Sequence, residues 1–181
     1  ERVGQKVLET LNRRYDINGH PYHGTPSLGI TLFNGQSEAV DVLLKQADLA
    51  MYQAKAMGRN TMRFFDASMQ AAVEQRVALE AHLREGIERG EMLLHYQPQV
   101  NAAGAVVGAE ALVRWQHPQR GLVPPAVFIP LAEATGLILP LGRWVLQQAC
   151  EQLARWARHA STAGLSLAVN VSVHQFRDPG F

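Results

Sequence analysis

The sequence predicts an α/β fold in two consecutive parts, and three observations lead there. Runs that alternate apolar and polar residues, the mark of strands, are separated by stretches with the three- and four-residue apolar spacing of helices. Strands separated by helical crossovers argue for a parallel sheet or barrel. The composition, 47% hydrophobic and 18% charged over 181 residues, is globular and suits one ordinary domain or two small ones.

The first part opens with Val3, Val7, Leu8 and Leu11 at helical spacing. The extended run PSLGITLF, Pro26 to Phe33, follows, and then a helix from about Ser37 to Met57. On that helix Leu43, Leu44, Ala47, Ala50, Met51 and Ala54 recur on one side, with Gly58 as the stop signal. The strand TMRFF completes a small αβαβ piece. A long helical pattern from about Ser68 to Glu88 comes next, with Val73, Val77, Leu83 and Ile87 on one side and Gly90 closing it. These features place one domain at residues 1–66, a linker and helix start at 67–75, and a second domain at 76–181.

The second part contains three strand-like runs, MLLHYQP, AVVGAEALVRW and LSLAVNVSV. A helix from Leu141 to His159 precedes the third, with Leu146, Cys150, Leu153 and Ala157 as its core stripe. Side chains alternate across a strand, so each run has two distinct faces. His95 and Gln97 stand opposite Leu94 and Tyr96. Glu110, Leu112 and Arg114 stand opposite Val107, Ala109, Ala111, Val113 and Trp115. In the third run Ser166, Ala168, Asn170, Ser172 and His174 stand opposite Leu165, Leu167, Val169, Val171 and Val173. Three strands thus aim Gln97, Glu110, Arg114 and Asn170 at one space. A parallel barrel collects such groups at the carboxyl ends of its strands.

Glu110 and Asn170 are hard oxygen donors, suited to Mg²⁺ or Mn²⁺ rather than zinc. Arg114 offers the planar fork that matches phosphate. A metal beside a phosphate-binding arginine points to phosphoryl chemistry. The same pattern also reads as a solvated ion pair between Glu110 and Arg114 on a strand surface, and spacing alone leaves both readings open. His95 and His174 read as structural residues, and His117 as a loop residue.

Bulk charge narrows the partners. With 17 basic and 16 acidic residues the net charge is +1, too little for the cationic field that holds a nucleic acid polymer. Cys150 is the only cysteine; it excludes a disulfide framework and reads as an inert buried thiol. No run is long and apolar enough to span a membrane and the first residues lack a signal-peptide pattern, so a cytoplasmic location is expected. The chain begins inside a helical pattern and ends straight after a strand-like run, and is expected to be a piece of a longer protein.

GAEALVRWQHPQRGLVPPAVFIPLAEATGLI, with the upstream LHYQPQV and the downstream VNVSVHQF, closely resembles the start of the EAL family of cyclic di-GMP phosphodiesterases. ADLAMYQAKAMGRNTMRFF, Ala47 to Phe65, resembles the end of a GGDEF diguanylate cyclase domain. The resemblance implies the C-terminal part of a nucleotidyl-cyclase-like α/β domain followed by the first part of a TIM-like barrel. It makes Glu110 and Asn170 catalytic metal ligands, Arg114 the phosphate contact, Leu112 a pocket-lining residue and Gln97 a ligand contact. Pro130, in the FIP segment that starts at Phe128, becomes a substrate-lining residue. Glu133 begins what is often a Glu-Glu pair, with Ala134 in the second place. Lys55 and Arg59 match positions that contact nucleotide phosphates in cyclase domains, although they also read as cations at a solvated helix end.

The resemblance further implies hydrolysis of cyclic di-GMP to linear pGpG by the intact EAL domain, with two divalent cations, Mg²⁺ or Mn²⁺. GTP at an intact GGDEF half and a homodimeric parent follow in the same way. Two alternatives stay open: an inactive EAL domain that acts as a cyclic di-GMP receptor, and a parent whose main activity is the cyclase. The 181-residue piece alone is expected to be inactive, because Glu110 and Asn170 are too few ligands for two metals.

Overall fold

The computed structural model describes residues 1–35 and 38–180 and divides into two compact units, Glu1–Arg76 and Val77–Phe181. In the first unit, helix α1 (Arg2–Leu11) leads into a hairpin of β1 (Arg14–Ile17) and β2 (His20–His23). Its turn is Asn18-Gly19, with φ of 56° and 82°, a pairing whose twist matches that of the flanking strands. Asp16 Oδ1 accepts the Gly19 N–H at 2.7 Å. Apolar periodicity gives no sign of this hairpin, because all eight strand residues are exposed; the Asn-Gly dipeptide is the signal that does. On α1 the buried residues are Gly4 and Leu8, whereas Val3, Val7 and Leu11 are exposed.

Strands β3 (Ser27–Ile30) and β4 (Thr61–Phe64) pair in parallel, with α2 (Val40–Ala56) as their crossover. The close approach of α2 to β3 requires Gly29, where a Cβ would run into the Ala47 carbonyl and the Met51 backbone. Ala50 and Ala54 are fully buried, but Leu44 is 59% exposed and lies off the packed row. The expected helix start at Ser37 lies outside the described residues. Of the run Pro26–Phe33 only four residues form a strand, and Leu32 and Phe33 are exposed.

Helix α3 (Ala67–Glu88) starts where Asp66 Oδ1 accepts the Ser68 N–H at 2.7 Å. Hydrogen bonds from Ser68 hold the Asp66 carboxyl below its usual range. Its later residues Leu79, Leu83 and Gly86 are buried in the second unit. Val73 and Val77, expected on the core side, are exposed.

The second unit is organised around β6 (Val106–His117). β5 (Met92–Val100) and β7 (Gly121–Val123) pair with it antiparallel, and β8 (Ser166–Val169) pairs with it parallel. The expectation of an all-parallel arrangement therefore fails for β5. Its connection to β6 is a tight turn in which Asn101 Oδ1 accepts the N–H groups of Ala103 and Ala105 at 3.0 Å and Gly104 has φ 78°. A turn this short joins antiparallel strands, since a parallel crossover takes about a dozen residues.

The core is built on Trp115, Phe128, Leu83 and Leu141, all fully buried, with the Trp115 and Phe128 rings edge to face at 5.9 Å. Gly86 leaves room for this packing, because a Cβ there would lie 2.8 Å from both Trp115 Nε1 and Glu91 Oε2. The FIP segment belongs to helix α4 (Pro125–Thr135), which Pro125 opens and Gly136, at φ 76°, ends.

Helix α5 (Ile138–Trp156) starts earlier than its pattern suggested and buries Leu141, Val145 and Ala149. The expected stripe of Leu146, Cys150, Leu153 and Ala157 is the adjacent row, about 100° around the helix, and Cys150 is exposed. The third strand-like run is a strand only as far as Val169. Residues Val173–Phe176 form helix α6, so His174 sits on a helix. His117 ends β6 and is buried, 4% exposed, rather than lying in a loop. No helix among the described residues is long and apolar enough to cross a membrane.

Candidate functional site

β6 presents Glu110, Leu112 and Arg114 on one face. The antiparallel register sets Gln97 of β5 directly opposite Glu110, and the parallel register sets Ala168 of β8 beside it. Directly opposed residues share a face of the sheet, so Gln97 stands on the Glu110 side. Asn170 follows two residues after Ala168 and therefore projects to the same side. Its Nδ2 donates to Glu110 Oε1 at 2.6 Å. Side chains from β5, from β6 and from the residue just past β8 thus stand on one side of the sheet.

Arg114 stands farther along β6, about 13 Å from Glu110 by strand rise, opposite Leu93. Its Nη1 donates to the Val113 carbonyl at 2.8 Å. Among the described residues the ion pairs are Arg84–Glu80, Arg89–Glu85 and Arg143–Asp178. A Glu110–Arg114 pair is not among them, and Glu110 is engaged by Asn170 instead. The solvated ion-pair reading of this face therefore loses its geometric basis.

An opening of about 290 Å³ adjoins the cluster, with Leu112, Arg114, Ile129, Glu133, Asn170 and Gln175 in its wall. Pro130 is exposed on α4 and is not part of that wall; Phe128 points into the core. Glu133 of α4 accepts a hydrogen bond from Ser172 Oγ at 2.6 Å. Ser172 in turn caps α6: its N–H donates to Gln175 Oε1 at 3.1 Å and its Oγ accepts from the His174 N–H at 3.3 Å. Gln175 is buried against Gly142, where a Cβ would overlap its amide. The Ser-x-x-Gln spacing is a legible capping box. No sequence pattern ties Glu133 to Ser172, because they meet only where tertiary structure brings α4 to the start of α6.

Among the described residues no three His, Cys, Asp or Glu side chains converge in a way that could hold a metal. The Glu110 carboxylate and the Asn170 side-chain amide are nevertheless hard donors of the kind Mg²⁺ and Mn²⁺ take. It is Asn170 Nδ2 that faces Glu110 Oε1, so with the amide turned to present Oδ1 the two side chains fit as two of the ligands of one such ion. In the first unit, Lys55 is exposed in the last turn of α2. Arg59, also exposed, has φ 62° between Gly58 and Asn60, both at positive φ.

Residues 80–181 match the EAL domain model, and residues 1–61 match the model of the diguanylate cyclase, GGDEF domain. The chain is 42% identical over 179 residues to the bifunctional diguanylate cyclase/cyclic di-GMP phosphodiesterase MucR of Pseudomonas aeruginosa. It is 37% identical over 178 residues to the cyclic di-GMP phosphodiesterase PdeR of Escherichia coli K12. These alignments take in 98% of the chain in both cases, but 26% and 27% of the relatives, so the chain spans about a quarter of their length. Among solved structures, the PaMucR phosphodiesterase in complex with c-di-GMP superposes with TM-score 0.55 at 48% identity, over 57% of this chain and 42% of that one. The chain accordingly belongs to the EAL domain family, its EAL residues preceded by those of a GGDEF domain.

Proposed function

We propose that the protein carrying this chain hydrolyses cyclic di-GMP to linear pGpG at its EAL domain. The observation that supports this most is the meeting of Glu110 and Asn170 at 2.6 Å, with Gln97 across the sheet and Arg114 on the same face of β6. Glu110 and Asn170 hold divalent metal, Mg²⁺ or Mn²⁺, as part of a two-cation site. When bound, those ions polarise the phosphodiester and make water a nucleophile at neutral pH. Arg114 neutralises and orients a phosphate, Gln97 contacts the dinucleotide through its amide, and Leu112 lines the pocket. Pro130 contributes at most from the rim, given its position outside the wall of the opening. Water adds to phosphorus, one P–O ester bond breaks, and the released ribose oxygen takes up the proton.

In this reading residues 1–66 are the end of the GGDEF domain, 67–75 the linker and 76–181 the start of the EAL domain. Lys55 and Arg59 serve GTP phosphates in an intact GGDEF half, and the parent works in the cytoplasm as a homodimer. The deciding experiment is hydrolysis of cyclic di-GMP by the natural full-length protein, with and without chelator. Metal-dependent formation of pGpG that is lost in Glu110→Ala supports the assignment. Tight binding with no turnover assigns a receptor instead, and GTP condensation as the sole activity assigns a cyclase.

A further inference from the structure

We infer that Glu133 is a positioning residue for the metal ligand Asn170, an inference that rests on the reading of Asn170 proposed above. Asn170 is exposed and lies one residue past the end of β8, where ladder hydrogen bonds no longer fix the backbone. What holds the segment is the capped end of α6. Ser172 Oγ donates to Glu133 Oε1 at 2.6 Å while the Ser172 N–H donates to Gln175 Oε1. Both partners are well anchored. Glu133 is half-buried on α4, next to the fully buried Ala132, and Gln175 is 5% exposed against Gly142.

A serine hydroxyl donates one proton. In this arrangement that proton goes to a carboxylate, a short and strong charge-assisted bond. Fixing Ser172 on α4 leaves Val171 as the one residue between the clamp and Asn170, so the Asn170 amide has little freedom relative to Glu110. Glu133 therefore acts on the metal through one hydrogen bond and the short backbone link from Ser172 to Asn170, without being a ligand. Loss of such an outer partner typically weakens metal affinity or activity about 10- to 100-fold.

The test uses the natural full-length protein, with Mn²⁺ affinity read by electron paramagnetic resonance, turnover of cyclic di-GMP read separately, and thermal melting as a check on folding. Glu133→Ala should weaken Mn²⁺ binding about tenfold or more. Ser172→Ala, which removes the same bond and also the cap contact to the His174 N–H, should weaken binding at least as much, and the double variant should be no worse than Ser172→Ala alone. Glu133→Gln keeps an acceptor oxygen for the Ser172 hydroxyl and should restore affinity to within about threefold of the parent, whereas loss of the charge of a directly coordinating carboxylate would weaken it further. Unchanged Mn²⁺ affinity in folded Glu133→Ala overturns the inference, as does a Gln variant as weak as the Ala variant. If Glu133→Ala does not fold, Ser172→Ala decides alone by the same criterion. Should Glu110→Ala also leave Mn²⁺ affinity and turnover untouched, the metal site itself is misassigned and both readings fall.

Discussion

His117 Nε2 lies 3.0 Å from His82 Nδ1, a contact that ties the end of β6 to helix α3. The other nitrogen of His117, Nδ1, accepts the N–H groups of Gln119 and Arg120 at 3.0 and 3.3 Å. With Nδ1 committed as an acceptor, the neutral ring carries its proton on Nε2 and donates it to His82. A second proton on His117 would face two backbone donors. Burial, the neighbouring His82 and Arg120 together hold its pKa below 6.5, against the pull of Glu91.

A pH dependence of stability follows from that pair. The unfolded chain protonates this imidazole near 6.5, whereas the folded chain does so only at lower pH. Between those values the unfolded state binds more protons, so the stabilisation is fully present above about 6.5 and is lost as pH falls below it. Urea midpoints measured at pH 7.5 and pH 5 should drop for the parent and drop less for His117→Gln. Equal slopes would show that other groups carry the effect.

Glu110→Ala and Arg114→Ala should fail in different ways in the natural protein. If Glu110 is the metal ligand proposed above, its removal should cut turnover by on the order of a thousandfold, several kcal/mol of transition-state stabilisation, while dinucleotide binding partly survives through Arg114 and Gln97. Removing Arg114 should weaken ground-state binding together with turnover, because a phosphate contact forms before the transition state. Paired affinity and rate measurements on both variants separate the roles; identical losses in both parameters would contradict them.

The isolated 181-residue chain should not turn over cyclic di-GMP, since Glu110 and Asn170 are two donors where a two-cation site needs many more. It should also self-associate. Among the described residues β5 and β8 each pair with β6 alone, which leaves strand edges open to another chain, and Val100, Val106 and Val107 are exposed at one end of the sheet. Sedimentation of a concentration-independent monomer would count against this, and chelator-sensitive turnover against the donor argument.

Gly29→Ala should destabilise the first unit by about 3 kcal/mol, the upper part of the range for overpacking. The added methyl meets backbone of α2 at Ala47 and Met51 rather than the movable end of a side chain, so β3 and α2 have to separate. Gly164→Ala, with open space around the new methyl, is the control. A Gly29→Ala variant that melts with the parent would show that α2 yields freely.

The candidate site was legible to the extent that strand alternation is a covalent property. Glu110, Leu112 and Arg114 share a face wherever β6 lies, and the same holds for His95 with Gln97. Alternation does not say which residues of two strands meet. The register that puts Gln97 opposite Glu110, and the reach of Asn170 to Glu110 across 60 residues of sequence, depend on the Asn101–Ala105 turn and on the parallel placing of β8. The Glu133–Ser172 bond was invisible for the same reason.

What the sequence by itself determined was local: where α1, α2, α3, α5 and most strands lie, and which faces of β5 and β6 carry Gln97, Glu110 and Arg114. Tertiary structure alone decided which of two adjacent apolar rows of α5 is buried. Leu141, Val145 and Ala149 are buried in place of Leu146, Cys150 and Leu153, the first two in the core around Trp115 and Phe128. It likewise decided that His117 is buried and paired with His82, and that the third strand stops at Val169 so that Ser172 can cap α6. Periodicity records how residues repeat along one element, and burial depends on what that element packs against.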